Sequence, residues 1–245
     1  RAAGGTDNIT AIVCEVTGDR FAEVRDEADL PRFREFDPQR EGDPALTSTS
    51  YVARRLAARI GIPTPSIPPS IPVTGQHAVL RSRIDWQQED IVIFGERRRV
   101  PRLVAWHGDP GTAYTYSGTA HEPLPWTPEL LGIGHRVEEI TGQRYNSVLL
   151  NLYRDGRDGM GWHADDEPEL GREPAIASVS FGATRRFKLR HRRSRSAAST
   201  LDLAHGDLLL MAGATQQHYV HAVPKTARPV GARVNLTFRW VRPDR

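Results

Sequence analysis

Residues 233 to 240, RVNLTFRW, decide how the rest of this chain is read. At the two-residue period of a strand they set Val234, Leu236, Phe238 and Trp240 on one face and Arg233, Asn235, Thr237 and Arg239 on the other. A half-buried strand turns its polar side to water, and water does not require two guanidinium groups flanking an amide and a hydroxyl. That side is either a solvated sheet surface or an interior lining that holds an anion. Residues 151 to 153, NLY, repeat the geometry: Asn151 and Tyr153 share a face, with Val148, Leu150 and Leu152 opposite. One such strand reads as a sandwich strand with a wet outer face. Two of them call for a shared ligand.

The composition leaves room for an enzyme. The chain has 245 residues, 38% hydrophobic and 26% charged, enough for one sizeable domain with extensions. No run approaches the roughly 18 apolar residues of a membrane span, and no charged-then-apolar leader opens the sequence, so a soluble, intracellular, cytoplasmic protein is expected. The single cysteine, Cys14, excludes an internal disulfide and a thiolate cluster, so any metal must be held by His, Asp or Glu. Net charge is only +3, yet Lys188 and Lys225 are the only lysines. Arginine usage of this kind follows from a GC-rich genome or from bidentate contacts to phosphate and carboxylate. The run RRFKLRHRRSR, 185 to 195, is a solvated face or a nucleic-acid contact.

Residues 1 to 75 carry too little apolar material for a core. NITAIVCEV reads as a strand, SYVARRLAARI as a short basic helix with Ser50 at its N-cap, and GIPTPSIPPSIPVTG as an extended linker. From residue 76 the pattern is denser. A helix over HAVLRSRIDW precedes a strand, glycine turn and strand in DIVIFGERRRVPRLVAWHGD, and TPELLGIGHRVEEITG is a helix opened by Thr127 with Pro128 at its first position. Short strands follow in NSVLLNLYRDG, AIASVSFGATRRFKLRH, STLDLAHGDLLLMAG, QHYVHAVP and ARVNLTFRWV. This order predicts a mostly β jelly roll, or sandwich, with helices packed outside.

GWHADDE, 161 to 167, places His163 and Asp165 on one face of an extended segment. His221, in the apolar strand HYVHAVP, is either a packed core residue or a third ligand; His218 has the wrong parity to share its strand face. Together His163, Asp165 and His221 make two imidazoles and a carboxylate, a set that leaves coordination positions open on Fe(II). A chelating 2-oxo acid would fill two of those positions, and a dicarboxylate would need a cationic anchor at its far end. The arginines of 233 to 240 can supply that anchor through charge-assisted bidentate bonds.

The stretches NLYRDGRDGMGWHADDE, IASVSFGATRRFKLRH, LAHGDLLLMAG and RVNLTFR, in that order, carry a resemblance. From about residue 76 to 245 the chain resembles the AlkB-type Fe(II)/2-oxoglutarate-dependent dioxygenases that repair alkylated nucleic-acid bases, and within them the members that work on duplex DNA. The resemblance implies a double-stranded β-helix core in which His163, Asp165 and His221 bind iron, with Asn151, Tyr153, Arg233, Asn235, Thr237 and Arg239 around 2-oxoglutarate. It sets Arg239 on the distal carboxylate and Arg233 near the metal-side one. It also implies that Tyr116 stacks on a flipped base, that Glu167 contacts its edge, and that Phe94, in IFG, is the wedge of a hairpin finger. Extrusion of a duplex base leaves a gap, and an apolar plug lowers the unstacking cost. Arg102, Tyr114, Arg186 and Arg190 join these as nucleic-acid contacts.

The implied chemistry is oxidative demethylation of 1-methyladenine and 3-methylcytosine in single- or double-stranded DNA, with RNA a further substrate. O2 and 2-oxoglutarate give succinate and CO2, and the hydroxylated N-methyl group leaves as formaldehyde. A monomer is expected. The alternatives are the same oxygenation of RNA, a protein or a small molecule, and a nucleic-acid-binding module without turnover. A separate resemblance lies in GGTDNITAIVCEV, 4 to 16, which is similar to the last metal-binding motif and final strand of metal-dependent Ser/Thr protein phosphatases. It predicts a phosphatase-like tail over 1 to 20, a partly helical Pro-rich linker over 21 to 75, and the dioxygenase domain over 76 to 245.

Overall fold

The computed structural model describes residues 75–242 except 94, 113, 117–118 and 194–197, together with the backbone of two earlier strands. The side chains of 92–93, 114–116 and 119–121 are outside the description, as are the helix and linker expected between residues 50 and 75. The fold is mostly β, a double-stranded β-helix with flanking helices.

Its larger sheet contains, edge to edge, β2 (Arg34–Phe36), β1 (Ala11–Val16), β13 (Leu208–Gly213), β10 (Ile176–Gly182), β15 (Arg233–Arg239), β8 (Ser147–Tyr153) and β5 (Leu103–Gly108). The smaller sheet runs β12 (Ser199–Leu203), β11 (Arg185–His191), β14 (Tyr219–Val223) and β9 (Met160–His163). Two hairpins stand beside them, β3 (Asp90–Ile93) with β4 (Glu96–Arg99) and β6 (Tyr114–Tyr116) with β7 (Thr119–His121). From β8 onward the chain crosses back and forth: β8, β10, β13 and β15 belong to the large sheet, and β9, β11, β12 and β14 to the small one. The stretches AIASVSFGATRRFKLRH and STLDLAHGDLLLMAG each divide between the two sheets. The first breaks at Gly182, where φ is 96° and an added Cβ would lie 2.4 Å from the Ala232 carbonyl oxygen, so no side chain fits that crossing.

The large sheet is covered on both faces. On one side Val148, Leu150, Leu152, Val179, Phe181, Val234, Leu236 and Phe238 pack against Leu80 and Ile84 of helix α1 (Gln76–Arg83) and its C-cap, and against Leu130, Ile133 and Val137 of helix α2 (Pro128–Thr141). The α2 residues recur at the spacing of one helical face, with Thr141 one turn further on. Thr127 caps α2 by accepting from the Leu130 N–H, Pro128 occupies the first turn, and Gly142 ends the helix in the left-handed region at φ 66°. On the other side Tyr153, Leu209 and Met211 meet Phe187, Leu189, Tyr219 and Val223 of the small sheet, forming the interior of the β-helix.

Every residue of β15 is buried, so the strand is central and its polar side is an interior lining. Trp240 departs from the expected apolar face: β15 ends at Arg239, and Trp240 is 48% exposed. His218 ends a short helix, α3 (Thr215–His218), and lies outside β14. The strand expected to close an upstream domain, β1, pairs in parallel with β13, from Ala11 opposite Leu208 to Val16 opposite Gly213, and so extends the large sheet. Among the described residues no helix is long and apolar enough to cross a membrane.

Candidate metal and co-substrate site

His163 ends β9, and His221 lies directly opposite it on β14. Their ring centroids are 4.2 Å apart, and Phe187 stacks on His221 at 5.4 Å. Asp165 follows two residues after the end of β9, with its carboxylate Oδ1 3.6 Å from His163 Nε2. One ligand atom from each of His163, Asp165 and His221 lies within 4.8 Å of the others. The Gly161 carbonyl accepts from His163 Nδ1 at 2.9 Å, which leaves Nε2 with the lone pair a metal needs.

Burial pushes the His221 imidazole down to about 3, and the neighbouring His163 adds to the effect, so His221 is neutral and able to coordinate. Burial acts on Asp165 in the opposite sense, but the Arg239 guanidinium and the two imidazoles outweigh it. They hold the carboxyl well below the usual carboxylate range. Two imidazoles and one carboxylate, in tight proximity and buried or partly buried, are the donor set of a hard-to-intermediate divalent ion with open positions.

The other half of the cavity is built by the strand register. Asn235 faces Asn151 across β15 and β8, and Ser180 faces Asn235 across β10 and β15, so three polar side chains stand in one row. Arg233 is 1% exposed. It donates from Nη2 to Ser180 Oγ at 2.8 Å and to Asn235 Oδ1 at 2.7 Å, and it stacks over the Tyr153 ring at 5.4 Å. Asn235 Oδ1 also accepts from Ser178 Oγ at 3.0 Å, and Asn235 Nδ2 donates to Thr237 Oγ1 at 2.9 Å. Burial lowers Arg233 to about 10, which leaves it a cation at neutral pH. Its Nε and Nη1 are buried with no hydrogen-bond partner among the described residues. A buried guanidinium with two unpaired donors fits a carboxylate.

The two arginines stand at ends opposite to those expected. Arg239 Nη2 lies 3.0 Å from Asp165 Oδ2, so Arg239 belongs to the metal end. Arg233 instead bonds to Ser180 and Asn235 and lies over the Tyr153 ring. The two guanidinium groups thus stand at opposite ends of the seven-residue strand β15, with Arg233 at the end away from Asp165. Arg102, expected at the nucleic acid, is only 3% exposed, and its Nε donates to Asn151 Oδ1 at 2.7 Å. It orients an amide of the cavity wall; so buried a guanidinium does not reach a duplex backbone.

Of the remaining expected residues, Glu167 lines the same cavity as the triad. Arg186 is exposed and pairs with Asp202 at 3.6 Å, and the Arg190 guanidinium covers the half-exposed Trp162 ring at 4.0 Å. Both project from β11 on the outer side of the small sheet, where Lys188 shares their parity. Tyr114 and Tyr116 lie on β6, opposite His121 and Thr119, with their side chains outside the description; Phe94, the expected wedge, lies outside the described residues altogether. The structure adds Ser178, Leu149, Phe187, Met160 and Met211 to the cavity wall. Ser178 and Ser180 were legible as one face of SVS by the same parity that marked Asn151 and Tyr153.

The family model of the 2OG-Fe(II) oxygenase superfamily matches residues 75–239. The mouse DNA oxidative demethylase ALKBH2 is 46% identical over 162 residues, covering 63% of this chain and 68% of that protein. The human alpha-ketoglutarate-dependent dioxygenase alkB homolog 3 is 45% identical over 170 residues, 66% of this chain and 59% of that protein. The Arabidopsis thaliana ALKBH2 is 37% identical over 190 residues, and the chain spans 60% of its length.

Proposed function

Because the chain belongs to the 2OG-Fe(II) oxygenase superfamily, we propose that it removes N-alkyl groups oxidatively from bases in DNA. The carrying observation is the pairing of the His163, Asp165 and His221 cluster with a buried Arg233 that has two unpartnered donors in the same cavity. The similarity to proteins described as a DNA oxidative demethylase and an alpha-ketoglutarate-dependent dioxygenase supports DNA as the substrate.

His163, Asp165 and His221 would hold Fe(II), and Arg233 would hold the distal carboxylate of 2-oxoglutarate with Tyr153 beneath it. With O2, a centre so held would supply oxidation of a C–H bond, at the expense of 2-oxoglutarate going to succinate and CO2. The protein's share is position and charge. Arg239 keeps Asp165 ionised and in place. Asn151, fixed by Arg102, and Thr237, fixed by Asn235, line the path between the two anchors. Glu167 offers a carboxylate to the methylated base edge, which is cationic in 1-methyladenine and 3-methylcytosine. The N-hydroxymethyl product then loses formaldehyde to give the unmodified base. Arg190, Lys188 and the exposed strand Glu96–Arg99 supply phosphate contacts.

The test is anaerobic purification, addition of Fe(II), 2-oxoglutarate and air, and mass spectrometry of oligonucleotides carrying either lesion, single-stranded and duplex, with His163→Ala as the blank. Loss of the methyl mass in the wild type alone supports the reading. Succinate without demethylation would leave the oxygenase and remove DNA as its substrate.

A further inference from the structure

Asp165 is the one ligand of the three that no strand holds. His163 and His221 face each other in the ladder between β9 and β14, whereas residues 164–167 have no regular structure. The backbone of a metal ligand outside a ladder must be held by other means. Arg239 holds the Asp165 carboxylate at Oδ2, but it does not fix the main chain that carries it.

We propose that Gln216 is a positioning residue for iron binding, its side-chain amide taking the place of the missing ladder partner of Asp165. Gln216 Oε1 accepts from the Asp165 backbone N–H at 3.0 Å, and Gln216 is only 1% exposed. Its Nε2 faces Met211 Sδ at 3.6 Å, a weak contact to a residue of the cavity wall, so the acceptor end does the holding. The next residue of the loop is tied to the same short helix. Arg192 Nη2 pairs with the Asp166 carboxylate and donates to the Gln216 carbonyl at 2.8 Å. Because α3 runs directly into β14, Gln216 couples the place of Asp165 to the strand that carries His221. Two ligands that are far apart in sequence are thereby referenced to one segment. Groups that orient metal ligands change metal affinity by about 10- to 100-fold when removed, and Gln216 belongs with them.

The inference rests on the iron site of the proposed function, so its test reads metal binding and backbone protection and does not depend on demethylation. Mn(II) stands in for Fe(II), its free concentration followed by electron paramagnetic resonance in titrations of the full chain. Gln216→Met, close in shape but lacking the acceptor, raises the Mn(II) Kd by about tenfold or more. The metal-free thermal midpoint of a variant with an unaltered fold stays near that of the wild type. Gln217→Ala, on the same helix but bonded to the Arg172 carbonyl, binds like the wild type. Gln216→Glu keeps an acceptor oxygen and retains most of the affinity. Amide exchange in the metal-free wild type gives a reading without mutation: the Asp165 N–H is protected despite lying outside any strand. A Gln216→Met protein that binds Mn(II) as the wild type does, or an Asp165 amide that exchanges at the rate of a free loop, overturns the role of Gln216. A wild type that binds no Mn(II) overturns the metal-site reading itself.

Discussion

The face of β15 that carries Val234, Leu236 and Phe238 packs against the helices, and the face that carries Arg233, Asn235, Thr237 and Arg239 looks into the cavity. Neither touches water: the first three residues are 0% exposed and the other four between 1% and 7%. Equal burial has opposite consequences. On the helical side it removes apolar area from water and stabilises the fold. On the cavity side it strips hydration from two guanidinium groups, a cost that only a carboxylate, resident or bound, can offset. Stability and function are therefore separable along a single strand, by odd and even residue number.

The largest effect that would test this separation falls on the cavity side. Asp165→Asn keeps the shape and removes the anion, so metal-dependent turnover falls on the order of a thousandfold or more, measured by succinate release. Arg233→Met comes next. Removing one partner of a buried charge-assisted pair costs about 2–5 kcal/mol, so the KM for 2-oxoglutarate rises by roughly 30-fold or more. The metal-free thermal midpoint stays level or rises, because a buried cation is replaced by a thioether. Phe238→Ala inverts that outcome. Phe238 stacks on Trp126 with centroids 6.5 Å apart and touches Tyr145, and truncation costs about 3–5 kcal/mol of stability while the folded fraction keeps its KM. If Arg233→Met lost stability as Phe238→Ala does, the division between the faces would fail.

The pH limits of the metal-free protein should divide in the same way. The unfolded chain protonates His221 near 6.5, but the folded one resists until about 3, so stability falls as the solution is acidified through that window. Asp165, held below its ordinary 3.8, acts with the same sign further into acid. On the helical side burial raises the Tyr145 phenol above its ordinary 10.0. The unfolded chain therefore ionises first, and stability falls as pH rises past that value. Thermal midpoints across pH check this: His221→Gln flattens the acid limb and Tyr145→Phe the alkaline one. The smallest effect lies outside both faces. Arg190→Ala leaves stability within about 0.5 kcal/mol and reduces the salt dependence of DNA binding by about one ion, read from titrations at several salt concentrations.

Much of this was legible in the sequence because side-chain parity in a strand is local. Arg233, Asn235, Thr237 and Arg239 announce a common face whatever lies beside them, and Asn151 with Tyr153 does the same. The α2 boundaries were equally local, written in Thr127, Pro128 and Gly142. The long-range relations were not visible. Which arginine meets the metal depends on the end of β15 over which β9 and β14 cross, and the strand reads alike from either end. Gly182 gives little warning that one β-rich run divides between two sheets. Gln216 carries no signal in its own neighbourhood, since its partner is the backbone of a loop fifty-one residues away.

The amide of Asn235 gives the cavity a direction. Its oxygen is saturated by donors from Ser178 and Arg233, and its nitrogen donates onward to the Thr237 hydroxyl oxygen. The chain of hydrogen bonds thus runs one way, and the Thr237 proton is turned outward to whatever lies next to it. Thr237 therefore joins Arg233 as a donor of this wall, while the carboxylates of Asp165 and Glu167 line other parts of the same cavity.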